Sequence, residues 1–323
     1  MSASTSPPRQ RSTSSPGPRP LPAVRPPGRP TRRTVITAIA LVFVLIAGAA
    51  AALVLRLSRG PQWQPLWSDD FDGPSGAAPA AGTWQLDTGT GYPGGAPQWG
   101  TGEIQTYTTD PANIGLDGRG HLRITPTRDA AGQWRSGRLE SRRADAQPPE
   151  GGKLRVEARI RIPDGGPGYW SAFWMLGAPF RPAHTDWPGA GEIDVMENLG
   201  SEPSTVHGTL HCGIFAGGPC RETTGLGGTR RGDAPFSAGF HTYAVEWDRS
   251  GPVEEIRWYV DGQRYHTVRA DQVDRQTWAR ATGHGFYLLF NVAIGGNWPG
   301  PPTADTRAGA SMLVDSVSVA RQN

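Results

Sequence analysis

The chain has 323 residues, in which 44 glycines and 31 prolines exceed average usage while only 19% of residues are charged. This composition argues against a long-helix or coiled-coil protein and favours short strands joined by turns. The net charge of +3 does not indicate a nucleic-acid partner, because seven arginines and no acids lie in residues 1–34, and the remainder has 25 basic against 29 acidic residues.

The N-terminal segment predicts a membrane anchor. Residues 1–33 are mostly Ser, Pro and Arg, a composition typical of a disordered tail. Residues 34–55 form an uncharged segment that is long enough to cross the hydrocarbon core of a membrane, and Arg56 ends it. We therefore predict a transmembrane signal anchor over 34–56, a linker over 57–65 and a folded domain over 66–323.

The arginines before this span outnumber those that follow it, so the positive-inside rule places the N-terminus in the cytoplasm and the domain outside the cell. The alternative is a cleaved signal peptide, because small residues at 47–51 resemble a cleavage site. Both interpretations export the folded domain.

Residues after the linker show the two-residue periodicity of β-strands. Apolar and charged residues alternate over 154–162, and similar patterns occur at 243–247, 256–260 and 312–319. The pair Asp261-Gly262 predicts a hairpin turn, and the apolar run 287–294 predicts a strand buried on both faces. The fold class is therefore all-β, a two-sheet sandwich of jelly-roll type.

Three acids lie close together in the stretch GEIDVMEN at 191–198. Glu192 and Asp194 share one strand face, whereas Glu197 has the opposite parity in a regular strand. A β-bulge between Asp194 and Glu197 would bring all three carboxylates to the same face. Such a cluster is unfavourable for stability but suits a retaining glycosidase, which needs one ionised and one protonated carboxyl group.

Two plainer interpretations of the acids are a solvated strand edge and a calcium site. The aromatic surroundings favour sugar chemistry instead, because Trp170 and Trp174 precede the cluster and Trp187 lies five residues before Glu192. Indole rings can stack on the apolar faces of sugars.

Cys212 and Cys220 are separated by the loop-like sequence GIFAGGP. In an oxidising compartment they could close a small disulfide loop, and their spacing fits no metal site.

The sequence resembles glycoside hydrolase family 16, in its laminarinase-like branch, over roughly residues 64–320. The motifs that carry the resemblance occur in order along the chain: WSDDFDG at 67–73, WGTGEIQTYT at 99–108, SGRLES at 136–141, KLRVEARIRIP at 153–163, YWSAFWMLG at 169–177, GEIDVMEN at 191–198, VHGTLHCG at 206–213, FHTYAVEW at 240–247, NVAIGGNWPG at 291–300 and MLVDSVSV at 312–319. The resemblance implies a curved jelly roll with an open substrate cleft.

The resemblance also implies roles for single residues. Glu192 matches the nucleophile, Glu197 the general acid/base and Asp194 the assisting acid. The resemblance, together with the aromatic context, assigns substrate binding to Trp170, Trp174, Trp187, Arg138, His211 and Trp298. Arg138 could equally be a surface arginine and His211 a core histidine. Asp70 and Asp315 match positions that hold a structural calcium in relatives, although a buried aspartate bonded to turns is an equal alternative.

The function expected from these features is endo-hydrolysis of a β-glucan, with β-1,3-glucan as the first expectation, by double displacement with retention. No cofactor is expected for catalysis, and the enzyme is expected to act as a monomer. Two alternatives remain open: a cell-envelope transglycosylase that uses the same residues, and a non-catalytic glucan-binding module.

Overall fold

The part of the chain that the structure describes is built almost entirely from antiparallel strands. The structure is a computed structural model that describes residues 62–181 and 183–323. The predicted tail, the predicted anchor at 34–56 and most of the predicted linker lie outside these residues. Within the described ranges, no helix has the length and apolar character needed to span a membrane.

The described residues form eighteen strands, one α-helix and four short 3-10 helices. The strands are β1 (Gln64–Asp69), β2 (Trp84–Leu86), β3 (Thr106–Tyr107), β4 (Ile114–Leu116), β5 (Leu122–Ile124), β6 (Thr127–Arg128), β7 (Trp134–Ser136), β8 (Arg138–Ser141), β9 (Lys153–Arg161), β10 (Tyr169–Gly177), β11 (Glu192–Leu199), β12 (Thr205–His211), β13 (Leu226–Arg231), β14 (His241–Asp248), β15 (Glu255–Val260), β16 (Gln263–Arg269), β17 (Phe286–Ile294) and β18 (Met312–Gln322). The helices are α1 (Arg275–Thr282) and the 3-10 turns Pro97–Gly100, Ala178–Phe180, Phe236–Ala238 and Ala270–Gln272.

Two large sheets face each other across a single core. One sheet has the order β16-β15-β14-β9-β18-β5-β4, with β1 also paired to β18, and the other has the order β13-β12-β11-β10-β17-β8-β2. A small third sheet, β3-β7-β6, contains a parallel pair, β3 and β7. Buried side chains from both large sheets join one apolar cluster, so the predicted all-β sandwich is confirmed.

Strand β9 shows how the sequence pattern becomes a sheet face. Leu154, Val156, Ala158 and Ile160 point into the core, while the charged residues between them lie outside it. The strand pairs with β14 on one side and β18 on the other, so only the inner face needs apolar residues.

The hairpin and the buried strand predicted near the C-terminus are both confirmed. Val260 pairs with Gln263 across Asp261 and Gly262, whose φ angles of 49° and 74° are those of a tight hairpin turn. All nine residues of β17 are buried, because the strand lies between β10 and β8 and has the core on one face and further side chains on the other.

The sequence pattern did not predict helix α1. Its N-cap is Asp274, whose side chain accepts hydrogen bonds from the backbone N–H groups of Gln276 and Thr277. Trp278 is a buried residue of the helix. Eight residues are too few for a clear helical periodicity.

Strand β1 begins at Gln64, two residues before the boundary predicted for the folded domain.

Candidate active site

The predicted bulge in β11 is present. Glu192, Asp194 and Glu197 lie opposite His211, Thr209 and His207 of β12, and the register shifts between Asp194 and Glu197. The partners on β12 are two residues apart at each step, so the three acids share one face of the sheet although they are unevenly spaced in sequence.

The opposite sheet supports the bulge from behind. The indole N–H of Trp258, on β15, donates to the backbone oxygen of Asp194 at 2.7 Å, and Trp258 is fully buried. A Cβ on Gly208 of β12 would lie 2.3 Å from the same indole ring, so glycine allows this close approach. The buried Asp194 carbonyl therefore has a hydrogen-bond donor from the opposite sheet.

Glu197 is buried in a setting that favours its protonated form. Its carboxylate accepts a hydrogen bond from the indole of Trp170 at 2.9 Å. Burial, and next the negative charge of Asp194, raise the pKa of Glu197 well above its usual range, and these effects outweigh the opposing influence of His211 and of the Trp170 hydrogen bond.

Glu192 is shifted in the same direction. Burial and the charge of Asp194 raise the pKa of Glu192 to about 8, against opposing contributions from His211 and from a hydrogen bond with Trp187. A carboxylate oxygen of Glu192, a carboxylate oxygen of Asp194 and a ring nitrogen of His211 all lie within 4.8 Å of one another. The shifts mean that the cluster retains a proton near neutral pH.

His211 connects the acid cluster to a fourth carboxylate. Its Nε2 lies 3.2 Å from Oδ2 of Asp194, and its Nδ1 lies 2.7 Å from Oε2 of Glu222. Burial alone would lower the pKa of His211, but the neighbouring carboxylates of Asp194 and Glu222 raise it well above its usual value. His211 therefore lies among acids that favour its protonated form, and it lines a cavity, which differs from the core histidine considered as an alternative.

Sequence reasoning missed Glu222. The signal was present: His211 directly precedes Cys212, and Glu222 lies two residues after Cys220, so a Cys212–Cys220 bond brings the two side chains together. That disulfide is present.

A cavity of about 770 Å³ lies over the acids. Its floor comes from β11 and β12, and its walls include three tryptophans and the loop that follows the first cysteine. The lining comprises Glu192, Asp194, Glu197, His207, Thr209, His211, Trp170, Trp187, Trp298, Gly100, Thr101, Asn297, Phe215, Arg221, Thr223, Thr224, Gly225, Gly227, Gly228 and Thr229.

Arg138 and Trp174 do not line this cavity. Arg138 is 3% exposed, forms an ion pair with Asp87 at 2.9 Å and packs over the ring of Trp174. Trp174 donates its indole N–H to Asn291 at 2.8 Å. The structure places both residues in a polar network, and the burial of Arg138 rules out the surface position considered for it. Their predicted role in substrate binding stays a prediction.

The predicted calcium pair does not fit the ion. Asp315 lies 3.2 Å from Arg159 and 3.7 Å from His121, and Asp70 is exposed. Calcium prefers six to eight oxygen ligands, whereas these two neighbours of Asp315 present nitrogen atoms. Among the described residues, the cluster of three potential metal ligands consists of Glu192, Asp194 and His211, and both ring nitrogens of His211 face carboxylates.

The arrangement can cleave a glycosidic bond. Hydrolysis of a glycosidic bond uses a pair of neighbouring carboxyl groups, and indole rings can stack on sugars. The sandwich and its acid-lined cleft therefore define a carbohydrate-cleaving enzyme of the glycoside hydrolase class.

Comparison with known proteins agrees with this class. Glycosyl hydrolases family 16 matches residues 121–313. A beta-glucanase from Rhodothermus marinus is 32% identical over 286 residues, which cover 82% of this chain and 88% of that protein.

Solved structures give the same result. An endo-1,3-beta-glucanase from Streptomyces sioyaensis is 50% identical, with a TM-score of 0.78 over 81% of this chain and 98% of its own. An endo-beta-1,3-glucanase from Pyrococcus furiosus is 35% identical, with a TM-score of 0.66 over 82% of this chain and 97% of its own. The chain belongs to glycoside hydrolase family 16, and the family predicted from its motifs is confirmed.

Proposed function

We propose that the protein is an endo-acting β-1,3-glucanase that hydrolyses its substrate with retention of anomeric configuration. The observation that carries the proposal is the placement of three carboxylates on one face of β11, at the base of a cavity walled by Trp170, Trp187 and Trp298. Relatives named endo-1,3-beta-glucanases, which match nearly their full length, support the choice of linkage and the internal mode of cleavage.

The two glutamates receive different roles because their surroundings differ. Burial and Asp194 raise the pKa of both glutamates, but Glu192 belongs to the group of atoms within 4.8 Å that includes the His211 ring, and a positive charge on that ring favours ionisation of Glu192 first. Glu197 is outside that group, so we place the proton of the cluster on Glu197. Glu192 is therefore the nucleophile and Glu197 the general acid, with Asp194 between them.

The reaction then follows two displacements. Glu197 donates its proton to the glycosidic oxygen while a Glu192 oxygen attacks the anomeric carbon, so the bond to the leaving sugar breaks and a glycosyl ester forms. Glu197, now ionised, takes a proton from water, whose oxygen attacks the same carbon and releases Glu192. No redox step occurs: one proton moves from Glu197 to the leaving oxygen, and one moves from water back to Glu197.

A substrate panel tests the proposal. The full chain is incubated with laminarin, lichenan, cellulose, xyloglucan and agarose, and the products are sized over time, with Glu197→Gln as the inactive control. We expect rapid shortening of laminarin to intermediate oligosaccharides, and product sugars that are initially β-anomers. Release of monosaccharide alone would contradict internal cleavage, and initial α-anomers would contradict retention.

The same assay separates the alternatives. In the product-size analysis, a transglycosylase would give chains longer than the substrate, and a binding module would leave laminarin unshortened. An affinity gel containing laminarin would then show retardation of the binding module. Either result in place of hydrolysis would refute the proposed function.

We further propose that the enzyme is held at the outer face of the cell membrane by residues 34–56, with its N-terminus in the cytoplasm, and that it acts as a monomer. The charge-free run and its flanking arginines support the anchor, and the cystine supports export. All three acids and the cavity walls come from one chain, so a second copy is not needed to build the site. The intact mass of the cell-associated protein tests the anchor, because a product lacking about residues 1–50 would show a cleaved signal peptide.

A further inference from the structure

The proposed mechanism leaves one buried carboxylate without a role. The side chain of Glu222 is fully shielded from solvent. One of its oxygens lies 2.7 Å from Nδ1 of His211, and the other accepts the backbone N–H of Cys212 at 2.9 Å. A buried ionised group is costly unless it is paired, so this position calls for a physical explanation.

The His211 ring is held between two carboxylates. Asp194 lies 3.2 Å from one ring nitrogen and Glu222 lies 2.7 Å from the other. A neutral imidazole has only one N–H to donate, so carboxylates at both nitrogens favour the doubly protonated ring. Glu192 and Glu197, both on β11, also interact electrostatically with the ring, and Arg221 lines the same cavity.

The loop that carries Glu222 is fixed in several ways. The Cys212–Cys220 disulfide closes it, and Gly217 and Glu222 exchange two backbone hydrogen bonds of 2.7 Å. Gly225 has a φ of +69°, and a Cβ there would lie 2.4 Å from Thr209 and 3.0 Å from the His211 ring. The loop therefore passes against the histidine at a distance that only glycine allows.

We propose that Glu222 is a positioning residue for catalysis: held by the disulfide loop, it keeps His211 as a cation directed at Asp194. This cation partly neutralises the charge of Asp194, so that Glu192 can ionise beside it. The inference rests on the proposed function of the same site, and it assigns the disulfide loop a role in setting the proton distribution of the acid cluster.

Substitution Glu222→Gln in the full chain tests the proposal, because glutamine retains the shape and can still accept from Cys212. We expect kcat on laminarin to fall by about tenfold or more with KM changed less than about twofold, because the substitution alters the charge state and not the sugar contacts. The matched control is Glu202→Gln, since Glu202 lies 3.7 Å from the other cavity histidine, His207, but is 52% exposed. It should leave both constants unchanged.

A second measurement does not depend on activity. Nitrogen-15 NMR of the histidine ring, assigned by loss of the signal in His211→Asn, should show both nitrogens of His211 protonated at pH 7 in the wild-type protein. In Glu222→Gln the pKa of His211 should fall by at least about one unit, because an adjacent negative charge is lost.

The outcomes separate the two proposals. A neutral His211 in the wild-type protein at pH 7 would overturn the inference, and this reading stands even if Glu222→Gln does not fold. A Glu222→Gln protein with wild-type kcat and an unchanged His211 titration would also overturn it. Failure of the wild-type protein to cleave any glucan would instead refute the proposed function, and the NMR result would still decide the role of Glu222 toward His211.

Discussion

Replacing Trp258 by phenylalanine should damage the active site from the opposite sheet. The indole N–H of Trp258 is the donor to the buried Asp194 carbonyl, at 2.7 Å, and phenylalanine cannot replace it. A buried acceptor left without its partner costs about 1–3 kcal/mol, and the smaller ring leaves additional empty volume, so we expect a loss of about 2–4 kcal/mol in unfolding free energy.

The effect on catalysis should exceed the effect expected from lost packing. Without this hydrogen bond, the bulge that orients Glu197 relative to Glu192 loses its support. A misplacement of about 1 Å in a catalytic group can reduce the rate by a factor of about 100, so we expect kcat on laminarin to fall by about 10- to 100-fold. Denaturant unfolding gives the stability, and initial rates of reducing-end formation give kcat.

The control is Trp247→Phe on the neighbouring strand β14. Trp247 is equally buried, but its indole N–H donates to Glu254, which is not part of the site. This variant should lose stability while kcat stays within about twofold. Equal losses of kcat in both variants, or a Trp258→Phe enzyme with wild-type kcat, would refute the role assigned to Trp258.

Three further changes test the site and the sheet. Glu192→Ala should abolish turnover and leave the fold intact, and added azide should restore activity with an α-glycosyl azide as product; hydrolysis near the wild-type rate would contradict the nucleophile assignment. Trp170→Phe keeps an aromatic surface but removes the donor to Glu197, so the pKa of Glu197 should rise and the alkaline limb of the kcat–pH profile should move to higher pH; an unmoved limb would argue against Glu197 as the acid. Asp248 has its pKa lowered, because hydrogen bonds from Ser250 and neighbouring cations outweigh burial, so its contribution to stability is present above about pH 4 and is lost as the pH falls. The stability difference between Asp248→Asn and wild type should therefore be largest at pH 7 and clearly smaller at pH 2; a difference that does not change with pH would count against this ionisation.

Much of the fold was predictable because strand faces are encoded locally. The alternation over 154–162, the Asp261-Gly262 turn and the apolar run of β17 each specify a strand or turn without knowledge of its neighbours. The bulge in β11 was also predictable, since three acids can share a face only if one residue is inserted between Asp194 and Glu197. Helix α1 was missed because its eight residues are too few to show a clear helical periodicity.

The surroundings of the acids depended on tertiary structure. Trp258 comes to the bulge from the other sheet, 64 residues along the chain, and Glu222 reaches His211 through a loop closed by a disulfide. Arg138, on β8, lies in a buried ion pair with Asp87, and two strands separate β8 from β11; neither its partner nor its distance from the acids could be predicted from the sequence. A local pattern states which way a side chain points, but which side chains meet depends on strand order. That order is set by contacts between distant parts of the chain, and the charge states of the buried acids follow from those contacts.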